Sequence, residues 1–354
     1  MGPAAPGILN ELKDAGASRT ALLVVGVLLI QSAFIVSFVG ALHQPAPHRI
    51  PVDLVAPAFT ARLVSELNGL PSHPLEVTAV PAAQARADTL DGAADGAFLV
   101  HLTTNTDHLL VASGGGAGVA AALQSIFERV ETKVHRQLTT RDLVPAQPGD
   151  SRALTGYYLV IGWIVGGYLA AAILGVAKGA RPATKRRALI RLLSMLPYAL
   201  ASGVAGALIV GPLFGALTGH FWVLCLLGIL LVLSSATVTM AFQTLFGVVG
   251  IGLTILLFVV LGNPSAGGAS QWSLLPAFWG GLGPALPNGA GTDAVRQAVY
   301  FSSHGLLGNV GVIALYVVVG ALLTLGASAL HERRAGSTPA EQRLIALGQL
   351  GYRA

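Results

Sequence analysis

The chain has 354 residues, of which 53% are hydrophobic and 10% charged, with a formal net charge of +5. So little charge excludes an ordinary soluble domain, where roughly 25% of residues are charged. The single cysteine, Cys225, excludes an intrachain disulfide and reads as packing inside an apolar span.

At the N-terminus (residues 1–20), Pro6 to Gly16 is weakly amphipathic, with Ile8, Leu9 and Leu12 on one side, and suits a cytoplasmic elbow on the membrane surface. Ala21 to Leu42, interrupted only by Gln31, Ser32 and Ser37, predicts a first membrane span. A cleaved signal peptide, with Lys13 and Arg19 as its basic region and Gly40-Ala41-Leu42 as the cleavage site, fits less well because the apolar stretch is long for a signal core.

Residues 43–155 have the composition of a soluble domain. Strands are predicted over Ile50–Val55, Leu75–Val80, Ala97–Leu102 and His108–Ala112, and helices over Ala58–Leu70 and Ala82–Leu90. A longer helix is predicted from Gly118 to Leu138, carrying Val119, Leu123, Ile126, Val130, Val134 and Leu138 at spacings of three and four. The alternation predicts a compact α/β module.

A second span is predicted over Tyr157–Ala177, followed by the most basic segment of the chain: Lys178, Arg181, Lys185, Arg186, Arg187 and Arg191, with no acidic residue among them. From Leu192 to Thr292 there are then 101 residues without an Asp, Glu, Lys or Arg. Spans over Leu192–Leu217, Phe221–Phe242 and Thr244–Gly262 fit the roughly 20 residues needed to cross about 30 Å of hydrocarbon. In the first of these, Ala199, Gly203, Ala207, Gly211 and Gly215 recur every four residues, as Gly162, Gly166 and Ala170 do in the preceding span. Such stripes read as helix-packing seams, within the chain or between protomers, while Pro197 and Pro212 predict kinks.

Residues 263–305 are neither a normal loop nor a normal span. Short apolar pieces holding Trp272 and Trp279 are broken by Pro284 and Pro287, and the segment resumes with Asp293, Arg296, Tyr300 and Phe301. This pattern predicts a re-entrant or interfacial hairpin, with an ordinary surface loop as the alternative. A sixth span follows over Leu306–Leu330. In the tail (residues 331–354) Thr338, Pro339 and Glu341 have the spacing of a helix-starting capping box, ahead of an apolar side formed by Leu344, Ile345, Leu347 and Leu350 that suits lipid or a partner.

The expectation is a six-helix polytopic membrane protein with a large extracytoplasmic α/β domain between helices 1 and 2, in the plasma membrane, with both termini cytoplasmic. The positive-inside rule places the basic loop in the cytoplasm and sets the rest. On that topology the cytoplasmic segments hold 12 Lys and Arg against 4 Asp and Glu, and the outer segments 9 against 12. The basic balance thus belongs to the face opposite anionic lipid, which argues against a nucleic-acid partner.

Several absences narrow the function. No predicted span carries Asp, Glu, Lys or Arg, which disfavours an ion-driven transporter, and no channel filter or charged ring is legible. Gly114-Gly115-Gly116-Ala117-Gly118 lacks the Lys and Ser/Thr of a phosphate-binding loop, the histidines of the module lack metal-site spacing, and Ser113 lacks the flanks of a nucleophile elbow. Neither an active site nor a cofactor held by this chain is expected.

The arrangement resembles the permease subunit of ABC-type-2 exporters, particularly the branch related to the phage infection protein and to nitrosoguanidine-resistance-like membrane proteins. The resemblance rests on Pro148-Gly149-Asp150-Ser151-Arg152 leading to Tyr157-Tyr158 and Gly166-Gly167-Tyr168, on Gly262-Asn263-Pro264-Ser265-Ala266-Gly267, and on Leu275-Pro276 through Leu286-Pro287 to Arg296 and Tyr300-Phe301. It implies that Lys178 to Arg191 face a cytoplasmic ATPase that binds the ATP, and that two permease halves, alike or different, form the pathway. An uncharged bundle suits export of an amphipathic or hydrophobic, lipid-like or drug-like compound. The alternative is a non-transporting membrane scaffold or receptor whose outer domain binds a partner.

Overall fold

In the computed structural model residues 15–350 are described, apart from 183 and 304, with side chains for 22, 24–182, 184–303 and 305–333. Most of the predicted N-terminal elbow lies outside the described residues.

Helix α1 (Ala15–Leu42) leads into the module, built from β1 (Ile50–Val55), α2 (Thr60–Asn68), β2 (Leu75–Ala79), α3 (Ala82–Asp91), β3 (Gly96–Leu99), β4 (Thr106–Val111), α4 (Ala117–Lys133) and β5 (Gln137–Asp142). The sheet order is β2-β1-β3-β4-β5. β1 runs parallel to β2 and β3, with Val52 level with Val77 and Gly96, while β3 and β4 are antiparallel and β4 and β5 parallel. On one sheet face Ile50, Val52, Leu54, Phe98 and Leu109 pack against Leu67 of α2 and Val119, Leu123 and Phe127 of α4. On the other, Ala85 of α3 covers Ala97 and Leu110.

The predicted elements recur within a few residues, with one correction. The helix expected to reach Leu138 ends at Lys133, because His135 turns into the left-handed region (φ 55°) and the Arg136 amide donates to Glu131 O at 2.9 Å. The chain it releases forms β5, an edge strand whose polar sequence carried no alternating signal.

The remaining chain forms α5 (Thr155–Lys178), α6 (Lys185–Leu208), α7 (Phe221–Phe246), α8 (Val249–Ile255), α9 (Ala277–Leu282), α10 (Pro287–Tyr300) and α11 (Leu306–Leu350). A π-helical turn, Ile209–Leu213, extends α6 around Pro212, and a second, Leu256–Gly262, carries α8 on to Ser265. Among the described residues five helices are long and apolar enough to cross a membrane: Val24–Leu42, Thr155–Lys178, Lys185–Leu213, Phe221–Phe246 and Leu306–Arg333. The expected fifth span is a shorter apolar helix, Val249–Ser265, because α7 keeps Thr244 to Phe246 and turns at Gly247. α6 starts earlier than predicted, so four of the six basic residues, Lys185, Arg186, Arg187 and Arg191, lie in its first two turns, and Thr184 accepts from the Arg187 amide at 3.3 Å. In the tail α11 is helical through Thr338 and Pro339, so the predicted second helix start is absent.

Large apolar side chains such as Ile35, Ile173, Leu200, Leu226 and Leu322 point outward, as lipid contact requires. α7 is the centre. Gly167 of α5 lies against Val232 and Ser235, Gly203 of α6 against Cys225 and Ile229, Gly250 of α8 against Phe242, Gly291 of α10 against Leu231, and Gly320 of α11 against Thr237. The Trp163 ring of α5 is wedged against Gly206 and Gly228, and its Nε1 donates to Ser202 O at 3.1 Å. α1 lies at the edge, with Ile30 beside Gly252 of α8, Ser37 and Ala41 buried, and most of its described side chains exposed.

Two stability outcomes follow. Phe127 is fully buried and stacks on Phe98 with centroids 4.3 Å apart. Phe127→Ala should destabilise the module by about 3–5 kcal/mol, seen as faster proteolysis within residues 50–142 of the full chain. Gly228→Val should destabilise the bundle by about 1–3 kcal/mol through overlap with Trp163, lowering its thermal midpoint while cleavage of the module is unchanged.

Candidate functional site

The segment predicted to be re-entrant is where bundle and module meet. α8 ends at Ser265, the chain rises to the module through residues 266–275, returns through α9, and re-enters the bundle at Pro287, the first residue of α10. The turn is shielded where it leaves and re-enters the bundle, while Phe278 of α9 is exposed. Asn288, 1% exposed, donates from Nδ2 to Phe258 O at 2.9 Å, inside the π-helical stretch, and to Asn263 Oδ1 at 2.8 Å. Tyr157 Oη donates to Asn263 O at 3.2 Å. Trp272 donates to Ser265 O at 2.9 Å and lies against Gly267 and Gly283.

Leu274, 7% exposed, joins the core of the module, and the chain after α1 pairs with it: the Ala46 amide donates to Leu274 O at 3.1 Å and the His48 amide to Ser273 O at 2.7 Å. Tyr300 and Phe301, at the end of α10, pack against Gly114 and Gly115, and the Gln271 side chain lies over Gly116 and Gly118. The glycine run at residues 114–118 therefore receives these side chains.

One carboxylate fastens the link that leaves the module to the bundle. Asp150, 4% exposed, accepts from Tyr300 Oη at 2.9 Å on one oxygen, and from the amides of Leu154 (3.0 Å) and Thr155 (2.9 Å) on the other, where α5 begins. Beside it the Thr218 amide donates to Gln147 Oε1 at 2.9 Å, tying in the α6–α7 loop. Arg296 donates to Gly267 O at 2.9 Å and lies 3.4 Å from Asp293, which also accepts from Gln297 at 2.7 Å and from Asn309 of α11 at 2.8 Å.

At the opposite end of the helices lie the basic residues. Arg181 donates to Leu245 O at 3.3 Å, half-buried Arg191 to Lys178 O at 2.8 Å, and the Lys185 amide to Glu332 of α11 at 3.1 Å. Lys178, Arg181, Lys185, Arg186 and Arg187 are exposed.

The predicted seam divides. Ala199, Gly203 and Ala207 are buried, and Gly203 lies directly against α7 within this chain. Gly211 and Gly215 fall at and beyond the π-helical turn, where Gly215 lies against Gly149. On α5 Gly167 makes the close contact with α7, while of the predicted stripe Gly166 lies against Tyr198 of α6, Ala170 packs beside Met195 and Met240, and nothing comes within 4 Å of a Cβ at Gly162. Of the residues predicted for the outer segment, Trp272 and Arg296 lie in the junction, Pro284 and Pro287 shape the return, and Trp279 reaches α1 near Gly40. Asp150, Gln147, Asn288 and Asn309 were not singled out for chemistry. A carboxylate just before an apolar helix is the signal that could have found the first.

Three module carboxyls titrate above their ordinary range. Burial raises Asp95 to about 6, with Arg296 opposing and Asp293 adding to the shift. Burial and neighbouring Asp88 raise Asp53 to about 6, and burial and Asp107 raise Glu131 to about 7. Each group binds its proton more tightly folded than unfolded, so stability falls as pH rises from the ordinary carboxylate value through 6–7. The midpoint of the module in scanning calorimetry should therefore be higher at pH 5 than at pH 7.5, and Asp95→Asn should lessen that difference; a midpoint that rises with pH would contradict the assignment.

No protein-family model, curated protein or solved structure matches this chain, so its functional reading rests on geometry and charge.

Proposed function

We propose that the chain is the permease subunit of an ATP-driven exporter that moves an amphipathic or hydrophobic compound out of the cell, with a cytoplasmic ATPase and a second permease half, identical or related, as partners. The observation that carries the reading is polarity along the bundle: the exposed basic residues lie at one end and the α/β module is fastened at the other. Applied to that polarity, the positive-inside rule puts the basic end in the cytoplasm, the module outside, and both termini inside. Val249–Ser265 then counts as a sixth crossing, completed by the segment 266–286. ATP belongs to the partner subunit. The exposed cations of α6 form the surface for it, and the contact from Lys185 to Glu332 links that surface to α11, which touches α10 through Asn309.

Sidedness is tested first. Ser72→Cys should react with a membrane-impermeant maleimide in intact cells, and Ser337→Cys only after lysis; the reverse pattern sinks the proposal. An ATPase subunit should copurify in mild detergent, and its activity should rise when this chain is present. Replacing Lys185, Arg186 and Arg187 together by Ala should abolish that stimulation and efflux while leaving Ser72→Cys labelling unchanged. Correct sidedness with neither ATPase partner nor efflux would leave the scaffold or receptor reading.

A further inference from the structure

The module carries a feature that its attachment to the bundle does not use. α2 and α4 lie side by side on one sheet face, and at the end of α4 remote from the Gly116–Gln271 contact they border a cavity of about 530 Å³. That is within the range of about 300–1,000 Å³ typical of small-molecule sites. Its walls include Leu63, Leu67, Phe98 and Val130.

The mouth is apolar as well. Phe59, Leu102 and Val134 are 76%, 60% and 57% exposed, and all three border it. Among the described residues, the one other exposed large apolar side chain of the module is Leu90, at only 36%. Phe59 is also held in the left-handed region at φ 54°, which is uncommon for a bulky residue and marks a constrained rim.

The floor is charged and unevenly satisfied. Asp107, 2% exposed, accepts from Arg136 at 2.6 and 2.8 Å and from the His101 amide at 2.7 Å. Burial alone would raise Asp107, but these bonds outweigh it and hold the carboxyl below its ordinary range. Glu131, 4% exposed, is less fully served: it lies beside Asp107 and pairs with Arg136 Nε only at 3.7 Å, and its Oε2 is buried without a hydrogen bond. The Arg136 charge is already committed to Asp107, so Glu131 is a buried carboxyl short of a donor at the base of an apolar cavity. At the rim, Arg62 is paired with Glu66 at 2.8 Å, and Lys133 adds one cation.

We propose that this cavity binds an amphipathic amine, its apolar body against Leu63, Leu67, Phe98 and Val130 and its protonated nitrogen donating to Glu131. A cationic N–H supplies the donor that Glu131 Oε2 lacks and a second positive charge beside two carboxyls served by one guanidinium. The inference concerns binding by the module and stands or falls separately from the exporter reading, because its test needs neither ATP nor a partner.

The test uses the full chain in lipid nanodiscs with Val134→Cys or Leu102→Cys at the mouth; Cys225 is buried, so a soluble maleimide reads the new thiol. Octylammonium, octanol and octanoate share a tail and differ in charge. Octylammonium should slow labelling at both positions at about tenfold lower concentration than octanol, and octanoate should protect least. Glu131→Gln should bring octylammonium to the level of octanol. Thr139→Cys, on the exposed edge strand β5, should be unaffected by all three. No protection by any compound, equal protection by all three, protection of Thr139→Cys in step with the mouth, or an undiminished octylammonium advantage in Glu131→Gln would each overturn the assignment.

Discussion

Five helices meet α7, each through a glycine that lets the backbones close. Between apolar helices in hydrocarbon, burial from water contributes nothing, so association depends on van der Waals contact over the closest possible approach and on the few hydrogen bonds such approach permits. Gly167, Gly203, Gly250, Gly291 and Gly320 supply that approach from five directions, and a Cβ at any of them would overlap α7 or its side chains. The hydroxyls of α7 fit the same constraint. Ser234, Ser235, Thr239 and Thr244 return their hydrogen bonds to carbonyls of their own helix at 2.6–3.2 Å, so the buried face can be polar in composition yet satisfied. Gln243 reaches across to Ala172 O at 3.4 Å beside Gly175, which leaves room for it.

The breaks in the helices obey the same accounting. A π-helical stretch changes the carbonyl register of α8, and Asn288, from the first turn of α10, donates to Phe258 O within it. α8 and α10 are thus bound at depth by one amide, even though more than twenty residues of chain climb to the module and back between them. Irregular backbone is tolerated at such a depth only where protein encloses it, and Trp272, Tyr157 and Asn288 form that enclosure. The other π-helical turn, around Pro212, brings Gly215 against Gly149 at the surface where module and bundle touch.

Much of this was legible in the sequence, and the misses have physical causes. The four long apolar stretches beginning near residues 21, 157, 192 and 221 declared their helices, as did Leu306 onward, because hydrocarbon tolerates no other open structure. Strands β1 and β2 showed in their β-branched, alternating composition. β5 did not: Gln137 to Asp142 is polar on both faces, and Leu138 continued the spacing of α4 so well that only the backbone turn at His135 separates helix from strand. Small-residue stripes identified α6 as a packing helix but not its partner, since Gly203 is chosen by the shape of α7 and Gly162 meets nothing. The junction was partly visible. Pro, Gly and Trp marked residues 263–305 as unusual, whereas the pairing of Asp150 with Tyr300 joins positions 150 residues apart, a distance no local pattern can bridge. Glu131 carried a signal that went unread: it continues the four-residue spacing of Leu123 and Phe127, both fully buried, so a carboxyl at that position had to be buried too.

The attachment of the module has a mechanical consequence. Two covalent links, residues 43–49 and 143–154, would by themselves let it pivot about the line between them. A third attachment braces both links: Leu274 in the module core, Gln271 over Gly116 and Gly118, and Tyr300 and Phe301 on the glycine run. With these side chains seated, α10 cannot tilt without carrying the module or withdrawing them. The individual hydrogen bonds here contribute about 0.5–1.5 kcal/mol each, somewhat more for those to Asp150, whereas re-spacing α7 would cost contact along several helices at once. Relative motion therefore costs least at the junction, and α10, held by Asn288 at its base and by Asp293 and Asn309 against α11, is the element through which a displacement of α11 would reach the module.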